Sequence, residues 1–282
     1  MGEFFVGSRP GRTVTHGDVT FDLPILYHRD DLFGLFFSAS FERVAATMPS
    51  AHLHPATLPG VGGRALVGVV AFNYFDTSIG PYGEVGIVVP VVYGEKPPPA
   101  VIPLLLEGSW PGYGYLVLHL PVTTTMARDA GRGEWGYTKF VADMRFTTTP
   151  EYHECYLSEG ASKILMLRTP RKGMLSRDTR PLVTYSVRSG DLVKTVIPQQ
   201  GICRNALLPR AWRLEPGDHE VAESLRRLEL SSRPLLARTY IERSAILPAG
   251  EVIEREVLPL DGYRGEDRQG VYSSTFWPSD GG

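Results

Sequence analysis

Residues 65–75 read ALVGVVAFNYF, and residues 84–93 read EVGIVVPVVY. Both runs are β-branched and apolar, and the interval between them holds Asp76, Thr77, Gly80, Pro81 and Gly83. Apolar, β-branched runs bounded by turn residues read as strands. Working outward, runs of the same kind occupy 114–120, which ends at Pro121, then 139–148, 151–158, 162–169, 181–187 and 191–197. Ser189-Gly190 between the last two reads as a hairpin turn. Helical patterns are few. One spans 40–48, with Ser40 as N-cap and a stop before Pro49. A second spans 123–130, capped by Thr and ended by Gly131. The third spans 218–228, where Asp218 is the expected cap and Val221, Ala222, Leu225 and Leu228 share a face. The expected fold is therefore α+β, mostly β: an antiparallel or mixed sheet with a few covering helices. No fixed period repeats and no linker divides the chain, so 1–262 are expected to form one domain and the polar residues 263–282 a loose tail.

The composition excludes several functions. The 282 residues carry 29 basic against 31 acidic side chains, a net charge of −2, so the driving term for nucleic-acid binding is missing. At 43% hydrophobic and 21% charged, the chain has ample core for a folded domain. Cys155 and Cys203 lie far apart with no C-x-x-C spacing, which argues against a disulfide framework or a structural zinc site. The first residues, MGEFFVGSR, do not resemble a signal peptide, and no apolar run approaches membrane-spanning length. A cytoplasmic protein with no membrane partner is expected.

Several motifs can be set aside. Gly60-Val61-Gly62-Gly63-Arg64-Ala65 resembles a dinucleotide fingerprint, but it follows a loop and opens a strand, where the fingerprint follows a strand and opens a helix. No P-loop, G-x-S-x-G or S-x-x-K occurs. His52-Leu53-His54 lacks a third ligand nearby, and His219-Glu220-x-x-Glu223 lacks the second histidine of a metalloprotease helix, so no metal is expected.

Lysine is scarce. Only Lys96, Lys139, Lys163, Lys172 and Lys194 occur. Of these, Lys139 alone sits at a Gly-rich, aromatic helix-to-strand junction, 131-GRGEWGYTKFVADMRF-146, with Trp135, Tyr137 and Phe140 beside it. An apolar setting favours the neutral, nucleophilic amine. The plain alternative is a strand-end lysine that reaches to water. Glu84 has the same two readings: a pocket carboxylate, or a solvated strand end.

The stretch Arg132-Gly133-Glu134-Trp135-Gly136-Tyr137-Thr138-Lys139-Phe140 resembles the acetoacetate decarboxylase motif R-E-x-W-G-[FY]-P-K-K. Asp76 to Glu84, followed by Val88-Val89-Pro90-Val91, is similar to that family's glutamate-bearing strand. The segments 231–237 (SSRPLLA) and 246–253 (ILPAGEVI) resemble its C-terminal end. The resemblance implies a cone-like β-barrel closed around the active site, a homo-oligomer, and no cofactor. It implies that Lys139 forms a Schiff base with a small oxo acid, a mode of lysine activation for which acetoacetate decarboxylase is itself the standing example. Glu84 is then the acid–base carboxylate. Arg29 matches, through a one-residue gap, the arginine that holds the substrate carboxylate. Trp135 and Tyr82, from the same motif blocks, complete the expected substrate-contacting set.

Three departures from the pattern bear on the chemistry. Phe140 replaces the second lysine, Thr138 replaces the proline, and a second glutamate is absent near Val70. A neighbouring cation is therefore not available to favour the neutral amine, and apolar burial is left to do so. The family's wider membership also uses its lysine for aldol condensation, dehydration or cyclisation of oxo acids such as pyruvate. The expectation is a Schiff-base lyase, decarboxylase-like on a 3-oxo acid. An aldolase–dehydratase or cyclase acting on a 2-oxo acid with an aldehyde is the alternative, and a non-catalytic barrel binding a small ligand is the third.

Overall fold

The computed structural model describes residues 4–8, 11–59, 63–260 and 262–276. Gly60, Val61 and Gly62 of the fingerprint-like run lie outside the described residues. The two runs quoted first are adjacent antiparallel strands, Arg64–Thr77 and Tyr82–Tyr93, with Phe72 opposite Glu84 and Tyr74 opposite Tyr82. Their apolarity is nearly continuous because each face has its own burial partner. Ala65, Val67, Val69 and Ala71 belong to one buried cluster, while Leu66, Val70, Phe72 and Tyr74 belong to another.

These strands sit in the middle of a 12-stranded sheet. On one side they are joined by Ile25–Ser40, then Leu236–Leu247, Gln199–Leu207 and Met174–Asp178. On the other come Tyr113–His119, Leu182–Arg188, Asp191–Ile197 and Glu251–Glu254, and the short strands Leu53–Pro55 and Thr57–Leu58 pair with Tyr82–Tyr93 and Arg64–Thr77 respectively. Pairing is antiparallel except between Tyr113–His119 and Leu182–Arg188. The hairpin over 182–197 forms as expected, with Ser189 (φ 52°) and Gly190 (φ 85°) both left-handed.

A five-stranded sheet packs on one face of the large one. Its order is Arg213–Pro216, Ser162–Pro170, Tyr152–Glu159, Asp143–Thr148 and Tyr272–Phe276. Phe33 of the large sheet meets Phe146 edge to face, with ring centres 6.2 Å apart, and stacks on His153 at 5.2 Å. Helix Glu220–Arg227 closes this layer with Val221, Ala222 and Leu225. Its N-cap is His219, whose Nδ1 accepts from the Val221 N–H at 3.1 Å, one residue later than the expected Asp218. The tail also differs from expectation. Tyr272–Phe276 runs parallel to Asp143–Thr148, tied down by Tyr272 Oη donating to Asn73 Oδ1 at 2.6 Å, so this part of 263–282 is an ordered edge strand.

The closed barrel expected from the resemblance is not formed by a continuous ladder among the described residues. The hydrogen-bonded path ends at Met174–Asp178 and at Glu251–Glu254. The sheet nevertheless curls on itself, because Asp191–Ile197 passes through Pro198 directly into Gln199–Leu207, which pairs with Leu236–Leu247. Consecutive strands of one extended chain cannot pair with each other, and Pro198 has no N–H to donate. The junction is instead held by the Ile246 N–H donating to the Pro198 carbonyl at 3.0 Å. The second face of the sheet thus wraps an apolar cluster that encloses a cavity.

Candidate active site

Lys139 is placed by a sequence of local devices. Helix Thr125–Ala130 starts with the Thr124 hydroxyl accepting from the Ala127 N–H at 3.2 Å, and it widens into a π-helical turn over Gly131–Trp135. Gly136, at φ 70°, ends that turn in the left-handed region where glycine is free to go. The Trp135 indole donates to the Pro248 carbonyl at 2.8 Å and stacks on Tyr137. Beyond it the chain runs extended but outside any strand until Asp143, later than the expected start at 139. The Leu120 and Val122 N–H groups donate to the carbonyls of Thr138 and Phe140. Neighbouring side chains in an extended segment point oppositely. Lys139 therefore enters the cavity, while Phe140 joins the core between the sheets and meets Tyr263 edge to face. Phe140 is thus not what surrounds the amine.

The Lys139 Nζ donates to Glu84 Oε2 at 2.7 Å, and Tyr74 Oη donates to Glu84 Oε1 at 3.1 Å. The side chains of Lys139 and Glu84 are only 5% and 8% exposed. They line a cavity of about 120 Å³ whose walls are mostly apolar: Leu32, Phe36, Phe72, Val88, Val117 and Leu247 among others. Val70, at the place of the absent second glutamate, lines it as well. Burial, and then the Glu84 charge, push the phenols of Tyr27 and Tyr74 up, and burial holds Tyr137 at about 12. All three are neutral at neutral pH, and among the described residues Glu84 is the only carboxylate lining the cavity.

The remaining expected residues fall in different places. Tyr82 shares a hydrogen bond with Tyr27 (2.9 Å between hydroxyls) and lays its ring 5.7 Å from Nζ, but it sits behind the cavity wall. Trp135 is likewise one layer back, supporting Tyr137. Arg29 is outside altogether. It is exposed, with its guanidinium over Phe75 at 5.2 Å. Two facing β-bulges explain this. Register shifts flank Arg29 in Ile25–Ser40 on its Arg64–Thr77 side, and flank Arg243 in Leu236–Leu247. Strict alternation from Tyr27 puts residue 29 inward, but the extra residue turns Asp30 inward instead. In the facing strand, Tyr240 is followed by two outward residues, and Arg243 rather than Glu242 enters the cavity. Bulges re-aim side chains in this way.

Arg243 was missed from sequence for that reason. It is 2% exposed, its Nε donates to Asp30 Oδ1 at 2.8 Å, and its Nη1 donates to Gln199 Oε1 at 2.9 Å. Burial pushes the Asp30 carboxyl up to about 6, against the downward pull of Arg243.

The three histidines weighed above as metal ligands have local partners. His52 pairs with Glu254, His54 with the Gly94 carbonyl and His219 with Glu159. Among the described residues no group of three or more His, Cys, Asp or Glu side chains is arranged to hold a metal, and no helix is long and apolar enough to cross a membrane.

The family model for acetoacetate decarboxylase (ADC) matches residues 15–256. No curated protein sequence matches the chain. Among solved structures, the acetoacetate decarboxylase of Legionella pneumophila superposes with a TM-score of 0.65 at 16% identity, covering 89% of this chain and 96% of that one. The enduracididine biosynthesis enzyme MppR in complex with pyruvate gives 0.58 at 10%, covering 85% and 91%. An acetoacetate decarboxylase-like enzyme from Sphingomonas wittichii gives 0.55 at 14%, covering 82% and 92%. At these identities the likeness is one of fold.

Proposed function

The chain belongs to the acetoacetate decarboxylase family, and on that premise we propose that it is a Schiff-base lyase acting on a small oxo acid through Lys139, with decarboxylation of a 3-oxo acid as its reaction. The observation that carries this reading is the 2.7 Å contact of the Lys139 Nζ with Glu84 Oε2 inside an apolar cavity. A proton passes from Nζ to Oε2 without crossing solvent, leaving a neutral amine. That amine attacks the ketone carbon, and the carbinolamine expels water with a proton returned from Glu84, giving a protonated imine. The electron pair of the C–CO2 bond then moves into the imine as CO2 departs, producing an enamine. Glu84, reprotonated by one proton taken up from solvent, then protonates the enamine carbon, and water hydrolyses the resulting imine to release the ketone and return Lys139 as its ammonium. The imine is itself the electron sink, so the chemistry requires no cofactor. Apolar walls favour the step, since they destabilise the substrate carboxylate more than neutral CO2.

A second reading draws on Arg243. A guanidinium fork fixes the orientation of a carboxylate and serves either reaction; a 2-oxo acid held there keeps its carboxylate while its enamine attacks an aldehyde. Borohydride reduction in the presence of acetoacetate, pyruvate and other oxo acids, read by mass spectrometry, tests both. A covalent mass at Lys139 that is absent from Lys139→Ala supports the imine. An unchanged mass with every oxo acid rejects it in favour of a binding protein. CO2 release from acetoacetate, against consumption of pyruvate with an aldehyde, separates the two reactions. A homo-oligomer is part of the same reading, and light scattering checks it.

A further inference from the structure

Arg243 presents an unusual balance of charge. Its guanidinium is buried at the cavity wall, yet only two of its three nitrogens are occupied, Nε by Asp30 Oδ1 and Nη1 by Gln199 Oε1. The third, Nη2, has no hydrogen-bond partner among the described residues. Nη2 is not sealed in by protein and opens on the cavity, where an anion can reach it. Its other neighbour is the Phe72 ring, 5.3 Å from Cζ, which faces the guanidinium plane and supplies no acceptor. Asp30 and Gln199 fix the orientation of the group, and Asp30 is itself 0% exposed, so the fork cannot swing away to solvent. The backbone is bent for this placement. Glu242 adopts a left-handed φ of 52°, unfavourable for a residue with a side chain, and its N–H donates to Asp31 Oδ1 at 3.2 Å. That strained residue is the bulge that brings Arg243 inward.

We propose that Arg243, oriented by Asp30 and Gln199, is the group that binds the carboxylate of the oxo acid whose carbonyl meets Lys139, taking the place expected of Arg29. The substrate class is then a short monocarboxylic oxo acid with an apolar remainder: the anion meets Nη2, the carbonyl meets Nζ, and the intervening wall of Phe72, Tyr74 and Val70 offers no further charge. The trapping arm of the test rests on the Schiff-base reading, and the binding arm does not.

The experiment compares wild type with Arg243→Lys, which keeps the charge and loses the fork. It also includes Arg243→Gln, and the double variant Arg243→Gln with Asp30→Asn, which leaves no uncompensated buried charge if the single variant fails to fold. Each protein is incubated with acetoacetate or with 2-pentanone, a neutral ketone of similar length, and reduced with borohydride. The ratio of acid-derived to ketone-derived adduct is expected to fall by about 30-fold or more in the two Gln variants. A smaller fall is expected in Arg243→Lys. Calorimetric titration of acetoacetate into the same proteins carrying Lys139→Ala reads the same anchor without an imine, and its binding is expected to weaken by a similar factor. An unchanged adduct ratio together with unchanged acetoacetate binding overturns the assignment while leaving the imine standing. If wild type forms no adduct at all, the Schiff-base reading fails, and the titration alone decides the anchor.

Discussion

At Gly131 the reach of the lysine is decided by a missing methyl group. A Cβ built there meets Lys139 Cδ at 2.5 Å and Cε at 2.6 Å, so the lysine stem passes through space that only glycine leaves open. Gly131→Ala is expected to push the amine off Glu84, slowing borohydride trapping by about 10-fold or more. Overpacking of this kind costs roughly 1–3 kcal/mol, so the variant remains folded by circular dichroism. Trapping at the wild-type rate would show that the stem has another route. Glu84→Gln keeps the shape and the acceptor oxygen but cannot take a proton. Turnover should drop by about 10²–10⁴-fold, the usual worth of a positioned general acid–base, and a drop of less than 10-fold would remove Glu84 from proton transfer. Lys139 was singled out in the sequence because lysine is scarce and its motif is short and contiguous, and Glu84 through the resemblance of a separate block, whereas the clearance at Gly131 was not. Tyr74 was not singled out, although it lies two residues from Asp76 and faces the same cavity.

At the scale of elements, the informative features are the irregular ones. The hairpin at Ser189-Gly190, the Ser40 and Thr124 caps and the central strand pair follow from local chemistry, and each formed where the residues indicated. The paired bulges around Arg29 and Arg243 did not announce themselves. TYIERSAIL gives no glycine or proline at the bulge, so plain alternation assigns the wrong residues inward. The left-handed Glu242 makes a stability prediction. Glu242→Gly relieves a conformation costing about 1–2 kcal/mol, partly offset by the added freedom of glycine in the unfolded chain. A rise in melting temperature of roughly 1–3 °C is expected for a chain of this size. A fall would mean that the Glu242 side chain has stabilising contacts that outweigh the strain.

For the whole molecule, the contact between the two sheets controls how the fold responds to acid. His153 is buried there, its Nδ1 against Thr148 Oγ1 at 3.0 Å and its Nε2 without a partner among the described residues. Burial first, and then the Arg171 charge, lower it to about 3 from an ordinary 6.5. As pH falls below 6.5 the unfolded chain takes the proton and the folded chain does not, so stability present above that pH is lost progressively toward pH 3. His153→Leu removes this term. Urea titrations at successive pH values should show wild type losing about 1.4 kcal/mol per pH unit more than the variant within that window, and parallel losses would refute a buried neutral histidine. Deleting 263–282 removes the Tyr272–Phe276 edge strand, the Arg268–Asp143 ion pair and both side-chain partners of buried Asn73. A loss of at least about 1–3 kcal/mol follows from the stranded amide alone, measured as a lower urea midpoint, and an unchanged midpoint would return this segment to the loose tail first expected. Strand content and the apolar pair at 65–93 were determined by the sequence itself, since propensity and turn chemistry are properties of neighbours along the chain, while the joint role of Lys139 and Glu84 was implied by the resemblance of two separate blocks. Which arginine faces the cavity, and how the sheet wraps it without a closing ladder, only the tertiary structure decided, because a bulge or a bend is set by pairing between strands some two hundred residues apart.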